Sequence, residues 1–232
     1  MKANPMPAVV THMAGLVDGI DVASGLELNV ALDSGADPRE ISFAGPGKSD
    51  EELMKAVAAG ILINIESFRE VGVLAAIQQQ TGWTARVAVR VNPDFELKSS
   101  GMKMGGGPKQ FGVDAEQVPE LLAEIGKAGL GFEGFHLFAG SQNLRPESIV
   151  EAQRKCFDLA LRLAEAAPGP VKFLNLGGGF GIPYFPGEQR LDLSSIGANL
   201  AAIQEDARRT MPQAEIVIEL GRYFVGEAGV YV

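Results

Sequence analysis

Phe173-Leu-Asn-Leu-Gly-Gly-Gly179 is a short apolar run that stops on three glycines. It lies between two longer helical patterns, Pro146–Ala167 before it and Leu193–Met211 after it. A strand set between two helices is the unit of a parallel sheet, because a parallel return needs a crossover of a dozen or more residues. The helix on its N-terminal side shows a buried stripe, with Ile149, Ala152, Cys156, Ala160 and Leu163 recurring at three- and four-residue steps. Cys156 falls in that stripe and reads as a core side chain rather than a reactive thiol.

The same alternation extends in both directions. Further strands are expected at Gly19–Ala23, Ile41–Ala44, Leu62–Ile65, Arg86–Val91, Phe132–Phe138 and Ile216–Leu220. Helices are expected near Pro7–Leu16, Gly25–Ser34, Asp50–Ala59, Ser67–Thr81 and Ala115–Ala128. The pattern predicts an α/β fold, a TIM (β/α)8 barrel. Seven strands are legible, and only Met1 and Lys2 remain where an eighth should precede the first helix, while a strand usually needs about five residues. The expectation is therefore that strand 1 is truncated at the N-terminus and the sheet is open beside it. Glu227-Ala-Gly-Val-Tyr-Val232 stops inside a β-prone run, so residues 1–225 are expected to form the barrel and 226–232 to begin a truncated C-terminal β domain.

A chain of 232 residues with 46% hydrophobic content suits one domain of this size. A net charge of -9 argues against a nucleic-acid partner. No apolar run approaches the roughly 20 residues that span a bilayer, and no signal-peptide pattern opens the chain, so no membrane role is expected. The single cysteine precludes an internal disulfide and fits a reducing, cytoplasmic compartment. Two histidines without a Cys/His/Asp cluster make a metal site improbable on composition.

In a parallel barrel the segments after the strands share one rim, where such barrels carry their chemistry. Lys2-Ala-Asn-Pro5, Ser24-Gly25, Gly140-Ser-Gln142, Gly177-Gly-Gly179 and Gly221-Arg222 all fall there, which points to an enzyme. Lys98 to Gln110, with four glycines and three lysines, reads as a long loop over that rim. The glycine triplet can aim successive amides at an anion, or can be a flexible turn. It is not a dinucleotide fingerprint, since Ile182 stands where the third glycine is required. Glu219 and Arg222 end the last strand, either as buried charges at the barrel mouth or as a rim ion pair. His136 should point inward, as a hydrogen-bonded core histidine or as a working one. Asp21 and Arg90 could orient groups in a pocket; Glu27 fits better as a helix N-terminal charge, and His12 as a solvated side chain.

The set Lys2-Ala-Asn-Pro5, Asp21-Val-Ala-Ser24, Arg90-Val-Asn-Pro-Asp94, His136-Leu-Phe-Ala-Gly-Ser-Gln142, Gly177-Gly-Gly179 and Glu219-Leu-Gly-Arg222 resembles the ornithine/diaminopimelate/arginine group of pyridoxal-phosphate decarboxylases, in the family's order. Asn175-Leu-Gly-Gly-Gly-Phe-Gly-Ile-Pro-Tyr184 is most similar to the diaminopimelate-decarboxylase side. The resemblance implies pyridoxal 5′-phosphate as cofactor, with Lys2 forming the Schiff base to its aldehyde. Gly177, Gly178, Gly179, Ser141, Gly221 and Arg222 would hold the phosphate. Glu219 would pair with the pyridinium nitrogen, His136 would stack on the ring, and Asp21 and Arg90 would line the pocket. The implied catalytic residues are thus Lys2, His136 and Glu219.

The implied reaction is decarboxylation of a small amino acid of the diaminopimelate, ornithine or lysine kind. The implied parent is a homodimer with shared active sites. The family's second domain lends a cysteine and an aspartate to the neighbouring subunit, and neither is found here, so this stretch alone is expected to be inactive. The family often has a lysine before the Phe-Gly pair, where this chain has Gln110. A racemase or epimerase on the same scaffold, or a non-catalytic carrier of the cofactor, are the alternatives. Racemases of this fold resemble each other in placing an arginine at the pyridine nitrogen, against which Glu219 argues.

Overall fold

The computed structural model describes residues 1–95 and 110–229. Eight helices, α1 (Pro7–Ala14), α2 (Gly25–Asp33), α3 (Asp50–Ala59), α4 (Phe68–Thr81), α5 (Val118–Ala128), α6 (Pro146–Ala164), α7 (Ser194–Thr210) and α8 (Gly221–Val225), are described. The strands are β1 (Ile20–Val22), β2 (Ile41–Phe43), β3 (Leu62–Ile65), β4 (Arg86–Asn92), β5 (Val113–Asp114), β6 (Gly131–Leu137), β7 (Phe173–Gly178) and β8 (Glu215–Glu219). They run parallel in the order β1-β2-β3-β4-β6-β7-β8, with β5 paired to β4. The expected barrel is present as this nearly closed sheet with its helices outside.

Local chemistry explains the boundaries. Ser49 and Glu52 form a reciprocal capping box at the start of α3, and the helix closes on Gly60 in the left-handed conformation at φ 72°. At α2 the Ser24 hydroxyl accepts the Glu27 amide, and the Glu27 carboxylate accepts the Ala23 amide at 2.7 Å. Glu27 is therefore a helix-start group, as its position suggested. Between helices and sheet, Leu28, Leu53, Leu74, Leu121, Leu122 and Phe157 are fully enclosed, and Cys156 lies among them. Burial pushes the Cys156 thiol up to about 12, so it is an inert packing group.

Register then decides which side chains meet inside the barrel. Arg90 lies opposite His136, His136 opposite Asn175, and Asp21 opposite Ser42. The ladder between β7 and β8 slips between Asn175 and Gly178, which brings Gly178 opposite Glu219. A Cβ on Gly178 would collide with the Glu219 carbonyl, so only glycine permits this approach.

All seven expected strands are found, and the first of them is Ile20–Val22. Among the described residues no ladder joins β8 back to β1. The Met1 ammonium donates to the Asp21 carbonyl at 2.7 Å across that edge. Residues 226–229 form a turn after α8, and the Ala228 amide donates to the Val225 carbonyl at 3.1 Å. Val230 to Val232, which belong to the expected start of a β domain, lie outside the described residues, as does the Lys98–Gln110 loop except for Gln110. No helix among the described residues is long and apolar enough to cross a membrane.

Candidate active site

A cavity of about 780 Å³ fills the space between α1, β1 and β8. That lies within the size range of small-ligand sites. At its rim end it is lined by Asp21, Ser42, Asn175, Glu219 and Gly221, together with Ala3 and Asn4 from the N-terminal turn.

Three ionisable side chains meet there. The Asn175 Nδ2 donates to Oε1 of Glu219 at 2.8 Å, and Nε2 of His136 stands 3.3 Å from the same oxygen. Burial works against the Glu219 charge, yet His136, Asn175 and Arg90 together outweigh it and hold the carboxyl down to about 2. Asp21 has the opposite fate. Burial, and then repulsion from Glu219, push it up to about 7, although the Ser42 hydroxyl donates to it at 2.7 Å. His136 is 2% exposed, and neither ring nitrogen has a hydrogen-bond partner. It is thus not a satisfied core histidine, since a buried, unpaired ring is costly.

The glycine triplet sits beside this cluster. Gly177 has φ 72°, and its amide donates to the Asn175 Oδ1 at 2.8 Å. A Cβ at Gly179 would strike the Gly140 carbonyl. The triplet is therefore a place of close backbone approach, not a flexible turn. The Gly179 carbonyl accepts the Asn143 amide at 2.8 Å, and the Asn143 carbonyl accepts the Gly181 amide at 2.9 Å. These bonds zip the Gly140–Asn143 loop, which carries Ser141, onto the triplet. Gln142, at φ 52°, accepts from Arg222 Nη1 at 3.1 Å. Arg222 therefore pairs with Gln142 rather than Glu219, so the rim ion pair that the sequence allowed is not formed. The Arg222 guanidinium also stands 6.0 Å over the Tyr184 ring.

Arg90 is held away from the cavity. Its Nη1 meets Oε1 of Glu66 at 2.9 Å, and its guanidinium lies 4.9 Å over the Phe111 ring. Glu66 also accepts the Gly45 amide, and the Gly112 amide at 3.0 Å. Beside it, Lys48 donates to Glu70 at 2.8 Å and to the Gly45 carbonyl at 2.6 Å, and the Glu66 amide donates to Glu70 at 2.6 Å. Lys2 is exposed on the N-terminal turn between Met1 and Ala3, both of which line the cavity. The structure thus joins Asp21, His136, Glu219, the triplet, Ser141, Gly221 and Arg222 around the ends of β6, β7 and β8. Arg90 belongs to a neighbouring cluster and Lys2 to the surface turn. Sequence reasoning missed Ser42, Lys48, Glu66 and Glu70, and gave Asn175 no role; a charge ending a four-residue buried strand, as Glu66 does after β3, was the available signal.

Comparison with known proteins places the chain in a family. Residues 1–226 match the pyridoxal binding domain of the pyridoxal-dependent decarboxylases. The chain is 39% identical over 217 residues to the decarboxylase of L-glutamyl BtrI acyl-carrier protein from Niallia circulans, covering 92% of this chain and 51% of that protein. It is 31% identical over 233 residues to the diaminopimelate decarboxylase of Thermoplasma acidophilum, covering 100% of this chain and 56% of the relative. The solved diaminopimelate decarboxylase of Helicobacter pylori, complexed with L-lysine, superposes with a TM-score of 0.79 at 29% identity, over 94% of this chain and 54% of that one. The chain spans about half the length of the curated relatives it matches.

Proposed function

The chain belongs to the pyridoxal-dependent decarboxylases as their pyridoxal binding domain, and from that premise we propose that its cavity holds pyridoxal 5′-phosphate for the decarboxylation of a small amino acid. The observation that carries the reading is the half-buried, ionised Glu219, which lines the cavity, beside a buried histidine whose ring nitrogens lack an aligned hydrogen bond. A carboxylate held far below neutrality matches a protonated pyridine nitrogen, and unpaired polar atoms need a partner. When bound, the cofactor supplies an electron sink for the pair left behind as carbon dioxide departs.

This chain's residues would do the rest. Glu219 holds a proton on the ring nitrogen by its negative charge. His136 covers the ring. The amides of Gly178, Gly179 and Gly221, with Ser141 and Arg222 and with Gly177 shaping the turn, grip the phosphate at the ends of β6 to β8. Lys2, between two cavity-lining residues, offers the amino group that anchors the aldehyde end. Asp21, near neutrality, is placed to hold a proton near Glu219.

The diaminopimelate decarboxylases among the relatives favour a substrate of the diaminopimelate kind, while the 39% identical relative is named for an L-glutamyl group on an acyl-carrier protein. We place the whole protein in the cytoplasm as a homodimer with shared active sites, with this domain inactive without the remainder. The test is to add pyridoxal 5′-phosphate, reduce with borohydride and map the modified peptides by mass spectrometry. A dominant pyridoxyl adduct on Lys2 is expected. Labelling spread over exposed lysines such as Lys127 and Lys172, without enrichment at Lys2, would overturn the assignment.

A further inference from the structure

Asn175 is 1% exposed and makes two hydrogen bonds that reach different parts of the site. Its Nδ2 donates to Oε1 of Glu219 at 2.8 Å, and its Oδ1 accepts the Gly177 amide at 2.8 Å. A carboxylate can only accept and an amide N–H can only donate, so both partners fix the same orientation of the side chain. The bonds fall where they matter most. The β7–β8 ladder slips between the Asn175–Val217 pair and the Gly178–Glu219 pair, so Leu176 and Gly177 fall in an irregular stretch. One buried side chain bridges that stretch.

Glu219 is faced by Asp21 from β1, Arg90 from β4, His136 from β6 and Asn175 from β7. His136 stands 3.3 Å away, off hydrogen-bond alignment. Arg90 is engaged with Glu66. Asn175 therefore gives this carboxylate a shorter contact, at 2.8 Å, than His136 does at 3.3 Å. We infer that Asn175 is a positioning residue that, by holding the Gly177 amide, sets the Glu219 carboxylate and the Gly177–Gly179 backbone at one fixed spacing, so that a ring and its phosphate are gripped together. The inference rests on the cofactor reading given above.

A ligand with a ring nitrogen at one end and a phosphate at the other is rigid, so both contacts form only if their spacing is held. Asn175→Leu keeps the approximate volume and removes both bonds. Asn175→Asp keeps the Gly177 acceptor and regains a donor to Glu219 only while a proton is shared between the two acids. Two readouts apply. One is the ¹³C titration of the Glu219 carboxyl in the cofactor-free chain, assigned through its loss in Glu219→Gln. The other is equilibrium binding of pyridoxal 5′-phosphate.

In Asn175→Leu, Glu219 should titrate at higher pH than in the unaltered chain, and affinity should fall about tenfold or more. Asn175→Asp should bind nearly as well as the unaltered chain toward acid pH and lose affinity as pH rises, relative to the unaltered chain. That relative pH limb is something a merely packed asparagine would not give. If Asn175→Leu does not melt cooperatively, the Asp variant carries the test alone. An unchanged Glu219 titration and unchanged affinity in folded Asn175→Leu, or an Asp variant with the unaltered chain's pH profile, would overturn the inference. If the unaltered chain fails to bind the cofactor at all, the functional reading falls, and the Glu219 titration still decides whether Asn175 sets that carboxylate.

Discussion

Two clusters of partly buried charge lie at the ends of neighbouring strands in this barrel, and they are built on opposite terms. Lys48, Glu66, Glu70 and Arg90 contribute two cations and two anions, and each is matched by a partner at hydrogen-bond distance. Leftover carboxylate oxygens are taken up by the amides of Gly45, Glu66 and Gly112. Asp21, His136 and Glu219 contribute two acids and one imidazole, with neither ring nitrogen in an aligned hydrogen bond and a cavity beside the two acids. The balanced cluster ties three rim segments together. The unbalanced one keeps its charge on offer. Buried charge alone does not mark a site; buried charge left unbalanced beside empty space does.

The comparison is most easily broken at Lys48. Its ammonium is 1% exposed against a Glu70 carboxylate that is 2% exposed. Removing one partner of such a pair leaves an uncompensated buried charge, at a cost of about 3–5 kcal/mol. Lys48→Met should therefore lower the melting temperature by roughly 10–15 °C for a chain of this size. The double variant Lys48→Met/Glu70→Leu should recover more than half of the loss, because an apolar pair of similar volume replaces a desolvated one. A thermal melt decides it. A neutral Lys48→Met would mean that this cluster is not held by its balance.

What could be read from the sequence follows the same division. Asp21, His136 and Glu219 each break an apolar strand near its end, so their positions announced charge inside a barrel, and the strand-helix alternation around Phe173–Gly179 gave the fold. The balanced cluster was opaque. Lys48 follows β2 in what looks like a solvated loop, and it meets Glu70 only because β2 and β3 pair through Ser42 and Leu62. Register of that kind is a long-range property and leaves no local period. Gly178 was legible as special but for a different reason, since the room it makes is for the Glu219 backbone. Asn175 gave no signal at all: a lone asparagine within a strand shows its role only when both bond partners are in place.

The same isosteric change made in each cluster should separate them. Glu219→Gln removes the charge that faces the cavity, and affinity for pyridoxal 5′-phosphate should fall about 10–100-fold, the worth of one charged hydrogen bond. Its melting temperature near neutral pH should also fall, because the ionised carboxyl is the form that His136, Asn175 and Arg90 stabilise, and that loss should vanish toward pH 2. Glu66→Gln leaves Arg90 without its counter-charge and should lower the melting temperature as well, while affecting affinity much less. Equilibrium binding and thermal melts on the two variants give the answer. Equal effects of both changes on affinity would merge the clusters into one site.

The smallest effect is the most diagnostic, because it has a sign that depends on pH. Asp21 is pushed from an ordinary 3.8 to about 7, by burial first and by Glu219 second. The folded state therefore binds its proton more tightly than the unfolded state does. That contribution to stability is full below the unfolded value and is lost as pH rises from about 4 through 7. Glu219 runs the other way. Held at about 2 against an ordinary 4.5, it stabilises the fold above 4.5 and loses that contribution as pH falls toward 2. Stability should thus peak between the two windows. Asp21→Asn keeps an oxygen to accept from Ser42 and cannot ionise, so it should match the unaltered chain near pH 4 and exceed it by about 1–2 kcal/mol above pH 8. The acid limb set by Glu219 should remain. Denaturant unfolding at a series of pH values measures both limbs. A variant less stable than the unaltered chain at every pH would place Asp21 with the balanced charges, as a group whose ionised form is paired and needed. A gain that grows between about pH 4 and 7 and then holds would show a fold that tolerates a carboxyl it does not favour, at the mouth of the cavity where a proton is wanted.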